Sequence, residues 1–326
     1  MECLKVASLF CGCGGTDVGV LGGFDFLGKT YGKNPYEIVY ANDIEKSACD
    51  IFAENFSIIP DMRDIRTVKS DELPEIDILT GGFPCQSFSI VAQNPKRLGV
   101  KDDRGTLFFE MCRILKDKQP KAFIAENVKG LLSANNGEAF PLIIDEFKNS
   151  GYNVTYKLIN AVQFGVPQKR ERVIIVGIRK DLNFEFKFPE ETRKTEEEYV
   201  PLGNIIEHEV DEKYFFSEKA VQGMKNAKKD MNKGRAQDLT KPCNTVGSHL
   251  AKVSLNSTDP VLLVHDRYRR FTPREVARIQ SFPETFKLIG TEAAQYRALG
   301  NAIAPVMFWY IAKALNEQLN LHTKAE

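Results

Sequence analysis

The first 180 residues alternate short apolar or β-branched runs with longer stretches in which apolar positions recur every three or four residues. The short runs predict β-strands, and the longer stretches predict helices with one apolar face. The predicted strands are residues 5–10, 37–42, 77–81, 121–126, 154–161 and 172–178, and the predicted helices are residues 45–55, 106–118 and 139–150. This alternation is typical of an α/β fold with a doubly wound, mostly parallel sheet.

A change of pattern near residue 184 predicts a second unit. Residues 184–265 are polar and rich in lysine, and four prolines interrupt them. Thr272, Pro273 and Glu275 then form a complete helix start signal, and the apolar segment from Pro305 predicts a helix that packs back on the first unit. The expected divisions are a first domain at 1–183, a smaller irregular domain at 184–265, a hinge segment at 266–299 and a C-terminal segment at 300–326.

The charge of the chain is balanced overall but unevenly distributed. Its 44 basic and 44 acidic side chains give a net charge of zero. Residues 1–80 hold fourteen acidic and seven basic side chains, which leaves +7 on the rest of the chain. The positive charge is densest between Lys219 and Lys241, where a polyanion could dock, although a solvated helix face has the same composition.

Several classes of protein are disfavoured by composition. No uninterrupted apolar run of membrane-spanning length and no basic and apolar leader is apparent, so we expect neither a membrane protein nor a secreted one. The seven cysteines are an odd number without a Cys-x-x-Cys pair, which argues against a disulfide framework or a structural zinc site. We therefore expect a globular protein of the cytoplasm without a metal centre.

A glycine-rich turn follows the first predicted strand. Its residues, Phe10-Cys11-Gly12-Cys13-Gly14-Gly15, lack the spacing of a dinucleotide-binding or phosphate-binding loop. Asp43, at the end of the second strand, is placed to accept both hydroxyls of a ribose. Together they suggest an adenosine-bearing cofactor without a pyrophosphate; a tight turn beside a surface aspartate is the alternative.

A possible nucleophile follows the strand predicted at 77–81. Cys85 lies behind Pro84, and a polar cleft at a strand end can lower the pKa of such a thiol, although an inert buried cysteine is the alternative. A right-handed connection would place the next strand, which ends at Glu126, beside it. Arg170 and Arg172 then precede or begin another strand. Thiol, carboxyl and guanidinium groups are expected to share one cleft.

These blocks, in this order, resemble the DNA (cytosine-5) methyltransferases of the compact prokaryotic or phage type. The matching blocks are Phe-x-Gly-x-Gly-Gly at 10–15, Pro-Cys-Gln at 84–86, Arg-Gly-Thr-Leu-Phe at 104–108, Glu-Asn-Val at 126–128, Gln-x-Arg-x-Arg at 168–172, Arg-Phe-Thr-Pro-Arg-Glu at 270–275 and Gly-Asn-Ala at 300–302. They span nearly the whole chain. The resemblance implies the Rossmann-like fold of S-adenosylmethionine-dependent methyltransferases, with the catalytic and cofactor-binding domain at 1–183.

The resemblance also implies a mechanism on double-stranded DNA. A cytosine is swung out of the helix into the cleft, where Cys85 adds to carbon-6 and Glu126 protonates ring nitrogen 3. Carbon-5 then takes the methyl group of S-adenosylmethionine. Arg172 is implied to hold the ring carbonyl oxygen, and Arg170 to assist a nearby loop or phosphate. No metal is required.

The cofactor contacts are likewise carried over from the family. The implied residues are Phe10, Gly12, Gly14 and Gly15 at the methionine portion, Asp43 at the ribose, Ile44, Asp64 and Ile65 at the adenine, and Phe83, Pro84, Leu107 and Asn301 around the rest of the pocket. Ile44 departs from the family, because an aromatic ring often stacks on adenine at this position. The departure weakens the expected stacking.

Two further regions are implied to act on DNA. Residues 87–103 would form a lid that closes over bound DNA, with a long surface loop as the alternative. Residues 184–265 would be the target-recognition domain, with residues 241–246 as its most family-like part and its lysines on phosphates. A cognate restriction endonuclease would act in the same system without forming a stable complex with this chain.

Two other functions stay open at this point. A branch of the family methylates tRNA, but its Cys-Phe-Thr tripeptide is absent here. A non-catalytic DNA-binding regulator on the same fold is expected to lack Cys85, Glu126 or the glycine loop, and all three are present. A sequence-specific DNA cytosine-5 methyltransferase is therefore the favoured hypothesis.

Overall fold

The computed structural model of the chain describes residues 3–84, 107–226, 236–252 and 259–323. Its strands are β1 (Leu4–Leu9), β2 (Phe24–Phe26), β3 (Lys29–Tyr31), β4 (Tyr36–Asn42), β5 (Ile78–Gly81), β6 (Ala122–Val128), β7 (Tyr152–Asn160), β8 (Glu171–Arg179), β9 (Leu262–Val264) and β10 (Arg267–Arg269). Its α-helices are α1 (Gly15–Leu21), α2 (Lys46–Asn55), α3 (Leu107–Lys118), α4 (Ala139–Asn149), α5 (Glu218–Lys225), α6 (Pro273–Ile279), α7 (Glu292–Asn301) and α8 (Pro305–Thr323). Short 3₁₀ turns connect many of them.

Six strands form the central sheet in the order β4-β1-β5-β6-β8-β7. The first four are parallel, whereas β8 runs antiparallel to both of its neighbours. The α/β fold with a mostly parallel sheet is therefore confirmed. The register aligns Asn42, Leu9, Gly81 and Ala125 in one row across four strands. The residues that follow this row emerge together at the carboxyl edge of the sheet.

Both faces of the sheet are buried, as a doubly wound fold requires. Val6, Ile78 and Ile124 belong to one apolar cluster, which also includes residues of α1 and α8. Leu79, which follows Ile78, and Phe123, which precedes Ile124, belong to a second cluster with residues of α3 and α4. Successive side chains of a strand point to opposite faces, so continuous apolar runs fill both layers.

The predicted elements of the first 180 residues agree with the structure to within about two residues at each end. The predicted start of α6 is also confirmed: Thr272 caps the helix through Glu275, with Pro273 at its first position. The sequence pattern did not predict the hairpins β2–β3 and β9–β10, because strands of three residues are too short to show alternation.

The C-terminal helix α8 packs on the first domain, as predicted. Tyr36 donates a hydrogen bond to the carbonyl of Ala312, and the indole of Trp309 donates one to the carbonyl of Gly32. The stretch Glu292–His322 is long and apolar enough to cross a membrane by length and composition alone, but 83% of its apolar 18-residue window is buried inside the protein. It is a core segment, and residues 302–304 interrupt its helices.

Within the described part of residues 184–265, the chain consists mainly of turns, with α5 and the strand β9. Cys243, Val246 and Leu262 are nevertheless fully buried in the apolar cluster that contains Ile174 of the sheet. The backbone of Cys243 also exchanges hydrogen bonds with the segment that precedes β8. This irregular region therefore packs directly on the sheet and on the segment that leads into β8.

Asp17 of α1 is a charged residue in an apolar setting. Its side chain is fully buried, and neither carboxylate oxygen has a hydrogen-bond partner within normal geometry. Burial raises the pKa of Asp17 to about 7, and the nearby Ser8 hydroxyl and the backbone only partly oppose the shift. The fold therefore favours the protonated carboxyl. The preference for protonated Asp17 stabilises the fold fully at pH values below the pKa of Asp17 in the unfolded chain, about 4. This stabilisation is lost as the pH rises through about 7.

Replacement of this carboxyl by an amide is expected to flatten the pH dependence of stability. In Asp17→Asn, the free energy of unfolding at about pH 8.5 should rise by about 2 kcal/mol relative to the unmodified chain, with little change near pH 5. Urea unfolding at both pH values measures the effect. Asp71→Asn, at an exposed site, serves as the control. An unchanged pH slope in Asp17→Asn would show that Asp17 is ionised in the fold.

Candidate functional site

A cavity of about 670 Å³ opens at the carboxyl edge of the parallel strands. It is lined by these sequence-predicted residues: Phe10, Gly12, Gly15, Asp43, Ile44, Asp64, Ile65, Phe83, Pro84, Leu107, Asn301, Glu126, Arg170 and Arg172. The cofactor residues and the catalytic carboxyl and guanidinium groups expected from sequence therefore lie in one space. Gly14 is the exception, because it precedes α1 and the position of its missing Cβ faces the ring of Phe56.

The glycine loop leaves room for a ligand beside the backbone. Phe10 and Gly12 both have positive φ, 54° in each case, so the chain turns sharply where β1 ends. A side chain at Gly12 would meet no atom within 4 Å, which means that the space beside it is open. Non-glycine residues with positive φ are uncommon and are enriched at functional sites, which suits Phe10 at the cavity wall.

Asp43 lines the cavity next to the glycine loop. Its carboxylate accepts hydrogen bonds from the backbone N–H groups of Gly12 and Glu45, both at 2.9 Å. Burial raises the pKa of Asp43, while these hydrogen bonds oppose the shift. Each carboxylate oxygen keeps a lone pair free, so Asp43 is still able to accept a hydroxyl of a ribose. The adjacent Ile44 is 69% exposed and offers an aliphatic surface at the mouth.

Another part of the cavity wall, around Ile65 and Phe83, is suited to a flat ring. Ile65 and Phe83 are buried there, and Phe83 packs edge-to-face on Phe108 at 5.3 Å between centroids. Asp64 caps the short turn that follows and binds the guanidinium of Arg66 through both oxygens. This hydrogen bonding to Arg66 lowers the pKa of Asp64, which keeps it ionised as an acceptor for an exocyclic amino group.

Glu126 is the carboxyl group of the inner part of the cavity. Its Oε1 lies 2.7 Å from Nε of Arg172, and both side chains are 12% exposed. The two residues are diagonal neighbours across β6 and β8, because Glu126 pairs with Ile174 while Arg172 pairs with Val128. Burial raises the pKa of Glu126, and the positive charges of Arg172 and Arg170 limit the rise. The site thus holds a carboxyl group that takes up a proton more readily than an exposed glutamate.

The segment that leads to Cys85 is fixed against Glu126. A Cβ on Gly82 would lie 3.4 Å from Oε2 of Glu126, so the backbone of this segment lies next to the carboxyl group. Asn127 donates a hydrogen bond of 2.9 Å to the carbonyl of Phe83 and thereby ties the end of β6 to this segment. Cys85 itself, the predicted lid at 87–103 and the start of the 104–108 block lie outside the described residues.

Arg170 has a different environment from Arg172. It is 3% exposed, and its guanidinium donates hydrogen bonds to the carbonyls of Val246, Gly300 and Ala302. Burial and the nearby charge of Arg172 lower the pKa of Arg170, but the intrinsic basicity of a guanidinium keeps it protonated at neutral pH. Arg170 therefore ties three chain segments together behind the cavity.

Asn301 lines the cavity, and the residues around it pack closely against two other backbone segments, one at Gly15 and one at Gly247. A Cβ on Gly15 would lie 2.3 Å from the carbonyl oxygen of Ile303, and one on Gly300 would lie 2.2 Å from that of Gly247. Larger residues at either glycine would force the segments apart. The tight approach holds the glycine loop, residues 300–303 and residues 246–248 in one block.

Two buried glutamines, Gln168 and Gln280, link residue 246 to residues 299–302, and no role is expected for either from sequence. Gln168 donates to the side chain of Gln280 at 2.8 Å and accepts from the backbone of Val246. Gln280 in turn donates to the carbonyls of Leu299 and Ala302. Both side chains are fully buried. A polar residue beside apolar ones gives no indication in sequence of which distant carbonyl it will meet, so neither contact was predictable.

Loss of the Arg170 guanidinium is expected to destabilise the fold. Arg170→Met removes a donor from three carbonyls, of which only that of Ala302 also accepts from Gln280, and should lower the free energy of unfolding by on the order of 3 kcal/mol. Lys169→Met, at the exposed neighbouring position, should change it by less than about 0.5 kcal/mol. Urea unfolding of both variants measures the difference. Equal stability of the two variants would refute the assigned role.

Comparison with known proteins places this site in a family. The family described as "C-5 cytosine-specific DNA methylase" matches residues 4–317. The type II methyltransferase M.FnuDI of Fusobacterium nucleatum is 36% identical over 97% of this chain and 95% of its own length. The type II methyltransferase M.HaeII of Haemophilus aegyptius is 35% identical over 99% of this chain and 96% of its own length.

Solved structures show the same fold. The S. pombe Dnmt2 methyltransferase superimposes with a TM-score of 0.76 at 23% identity, over 97% of this chain and 99% of that one. A DNA modification methyltransferase encoded in an E. coli prophage superimposes with a TM-score of 0.69 at 21% identity, over 97% and 99% of the two chains. With a family match over nearly its whole length and relatives above 30% identity, the chain belongs to the C-5 cytosine-specific DNA methylases, which are S-adenosylmethionine-dependent.

Proposed function

We propose that the chain performs the reaction of its family through Cys85 and Glu126, on a cytosine turned out of duplex DNA. The observation that carries this proposal is the position of Glu126. Its buried carboxyl group is bound to Arg172 and lies beside Gly82, three residues before Cys85. The same cavity includes Asp43 and the glycine loop. A methyl donor and a target base can therefore meet in one enclosed space.

The residues of the outer cavity fit S-adenosylmethionine, which supplies an electrophilic methyl group on a sulfonium. The open space beside Gly12 would take its methionine arm, and Asp43 would accept hydrogen bonds from its ribose. Ile44, Ile65, Phe83, Pro84 and Leu107 would contact the adenine and the neighbouring parts of the donor. Asp64 would accept a hydrogen bond from the adenine amino group.

The inner residues would activate the cytosine. The thiolate of Cys85 adds to carbon-6, and the electron pair displaced from the 5,6 double bond moves through the ring as nitrogen 3 gains a proton from Glu126. Carbon-5 then forms a bond to the methyl group, and the bond from that methyl group to sulfur breaks. Loss of the proton on carbon-5, expulsion of the Cys85 thiolate and return of the nitrogen-3 proton to Glu126 restore the aromatic ring and the starting enzyme. Arg172 would hold the ring carbonyl oxygen and neutralise Glu126 after the proton has left.

We propose that residues 184–265 recognise DNA. We also propose that the functional divisions of the chain are 1–183, 184–265, 266–299 and 300–326. Residues 243–246 of the 184–265 region hydrogen-bond to the segment that leads into β8, where Arg172 lines the cavity, and this proximity supports the role. The lysine-rich part between Lys219 and Lys241 would bind phosphates, and residues 227–235 of it lie outside the described residues. The two matched relatives are type II methyltransferases. We propose that this chain acts in the cytoplasm, with a separate cognate endonuclease.

The activity is tested with labelled S-adenosylmethionine and duplex DNA of random sequence, followed by bisulfite sequencing. We expect 5-methylcytosine at one short sequence. The same assay with RNA separates DNA methylation from tRNA methylation. A chain that binds DNA without transferring label to either nucleic acid would support the regulator instead.

Replacement of the two catalytic side chains should separate chemistry from binding. Cys85→Ser should abolish methyl transfer while DNA binding persists. Glu126→Gln keeps the shape of the side chain but removes its proton, and should slow single-turnover methyl transfer by about 10²–10⁴-fold. A loss below about threefold in Glu126→Gln would remove it from the proposed role.

A further inference from the structure

One cation of the cavity wall has no role in the mechanism. Arg297, on α7, lines the cavity, and half of its side chain is exposed. Its Nη1 lies 3.5 Å from Oε2 of Glu45, which directly precedes α2 and also lines the cavity. This distance is longer than that of a normal charged hydrogen bond.

The other described cations of the cavity wall are bound more closely. Arg172 lies 2.7 Å from Glu126, and Arg66 lies 2.5 Å from Asp64. Arg170 is committed to three backbone carbonyls. Among the lining residues that the structure describes, Arg297 is therefore the guanidinium that a ligand could recruit with the least loss of existing interactions.

The position of Arg297 on its helix limits what it could bind. Arg297 and Asn301 are one turn apart, so their side chains share a face, and both line the cavity. The helix ends at Asn301, and the negative end of its dipole disfavours an anion nearby. An anionic ligand group at this wall consequently needs a cation, which Arg297 provides.

The proposed cofactor has one group of this kind. With its ribose at Asp43 and its third sulfonium substituent in the open space beside Gly12, the donor would share one cavity with Arg297 and Asn301 of α7. That substituent ends in an α-carboxylate and an amino group. We propose that Arg297 binds the α-carboxylate of the methyl donor and gives up Glu45 when it does so. This inference rests on the proposed function.

Paired ligands with and without the carboxylate test the inference. S-adenosylhomocysteine carries it, whereas 5′-methylthioadenosine keeps the adenosine and the sulfur but lacks the amino acid end. Calorimetry on the full chain should show that Arg297→Met weakens S-adenosylhomocysteine binding about five- to tenfold and changes 5′-methylthioadenosine binding less than twofold.

Two control variants separate this contact from a general effect of charge. Lys46→Met removes an exposed cation of α2 that does not line the cavity and should leave both affinities unchanged. Glu45→Gln removes the competing carboxylate and should keep or tighten the binding of S-adenosylhomocysteine. Arg297→Lys should restore part of the affinity, because a single ammonium replaces a bidentate fork.

Three outcomes would overturn the inference. Equal weakening of both ligands in Arg297→Met would indicate a structural effect, and no weakening of either would show that the carboxylate binds elsewhere. Loss of DNA affinity with unchanged S-adenosylhomocysteine affinity would assign Arg297 to a phosphate of the nucleic acid. Failure of the proposed cofactor site is distinguishable from all three, because the unmodified chain would then bind neither ligand, and failure of the roles of Cys85 and Glu126 would leave both affinities as expected here.

Discussion

The chemistry proposed for this chain depends on one carboxyl group, that of Glu126, which must be buried and yet accessible to a base. Glu126 satisfies both conditions because β6 lies between β5 and β8 in the sheet. On the β5 side the carboxyl group lies next to the backbone of Gly82, and on the β8 side Arg172 supplies a compensating charge. Without Arg172, the buried carboxylate of Glu126 would be an unpaired charge, which is energetically costly. Without burial, the pKa of Glu126 would not be raised, and the carboxyl group would be less ready to carry the proton that it transfers.

The cavity is assembled from segments that are far apart in sequence. The glycine loop near residue 12 meets residues 300–303, and these meet residues 246–248. Arg170 and Gln280 bind the carbonyls left free at the end of α7. Because a helix end buried without partners is unfavourable, these polar side chains are part of the fold as well as of the site. Completion of the cofactor wall thus requires the last 30 residues to dock.

Sequence predicted the parts of this arrangement that follow from local rules. The strands of the first domain are continuous apolar runs, Thr272 begins a helix through its own neighbours, and the carboxyl ends of parallel strands share an edge by geometry. Contacts between distant segments were not predictable in the same way. Asn127, Gln168 and Arg297 each belong to or adjoin a family-like block, but their partners depend on backbone approaches that only the folded chain reveals. The roles assigned to Cys85 and Glu126 remain proposals.

The central claim is that a transient bond joins the Cys85 sulfur to carbon-6 of the target base. Duplex DNA with 5-fluorocytosine at the target position tests it, because fluorine at carbon-5 cannot leave as a proton does and the adduct persists. With S-adenosylmethionine present, we expect peptide mass spectrometry to find the methylated fluorinated base attached to Cys85, and no adduct in Cys85→Ser. Methylation of normal DNA without any such adduct, or an adduct at another residue, would contradict the account.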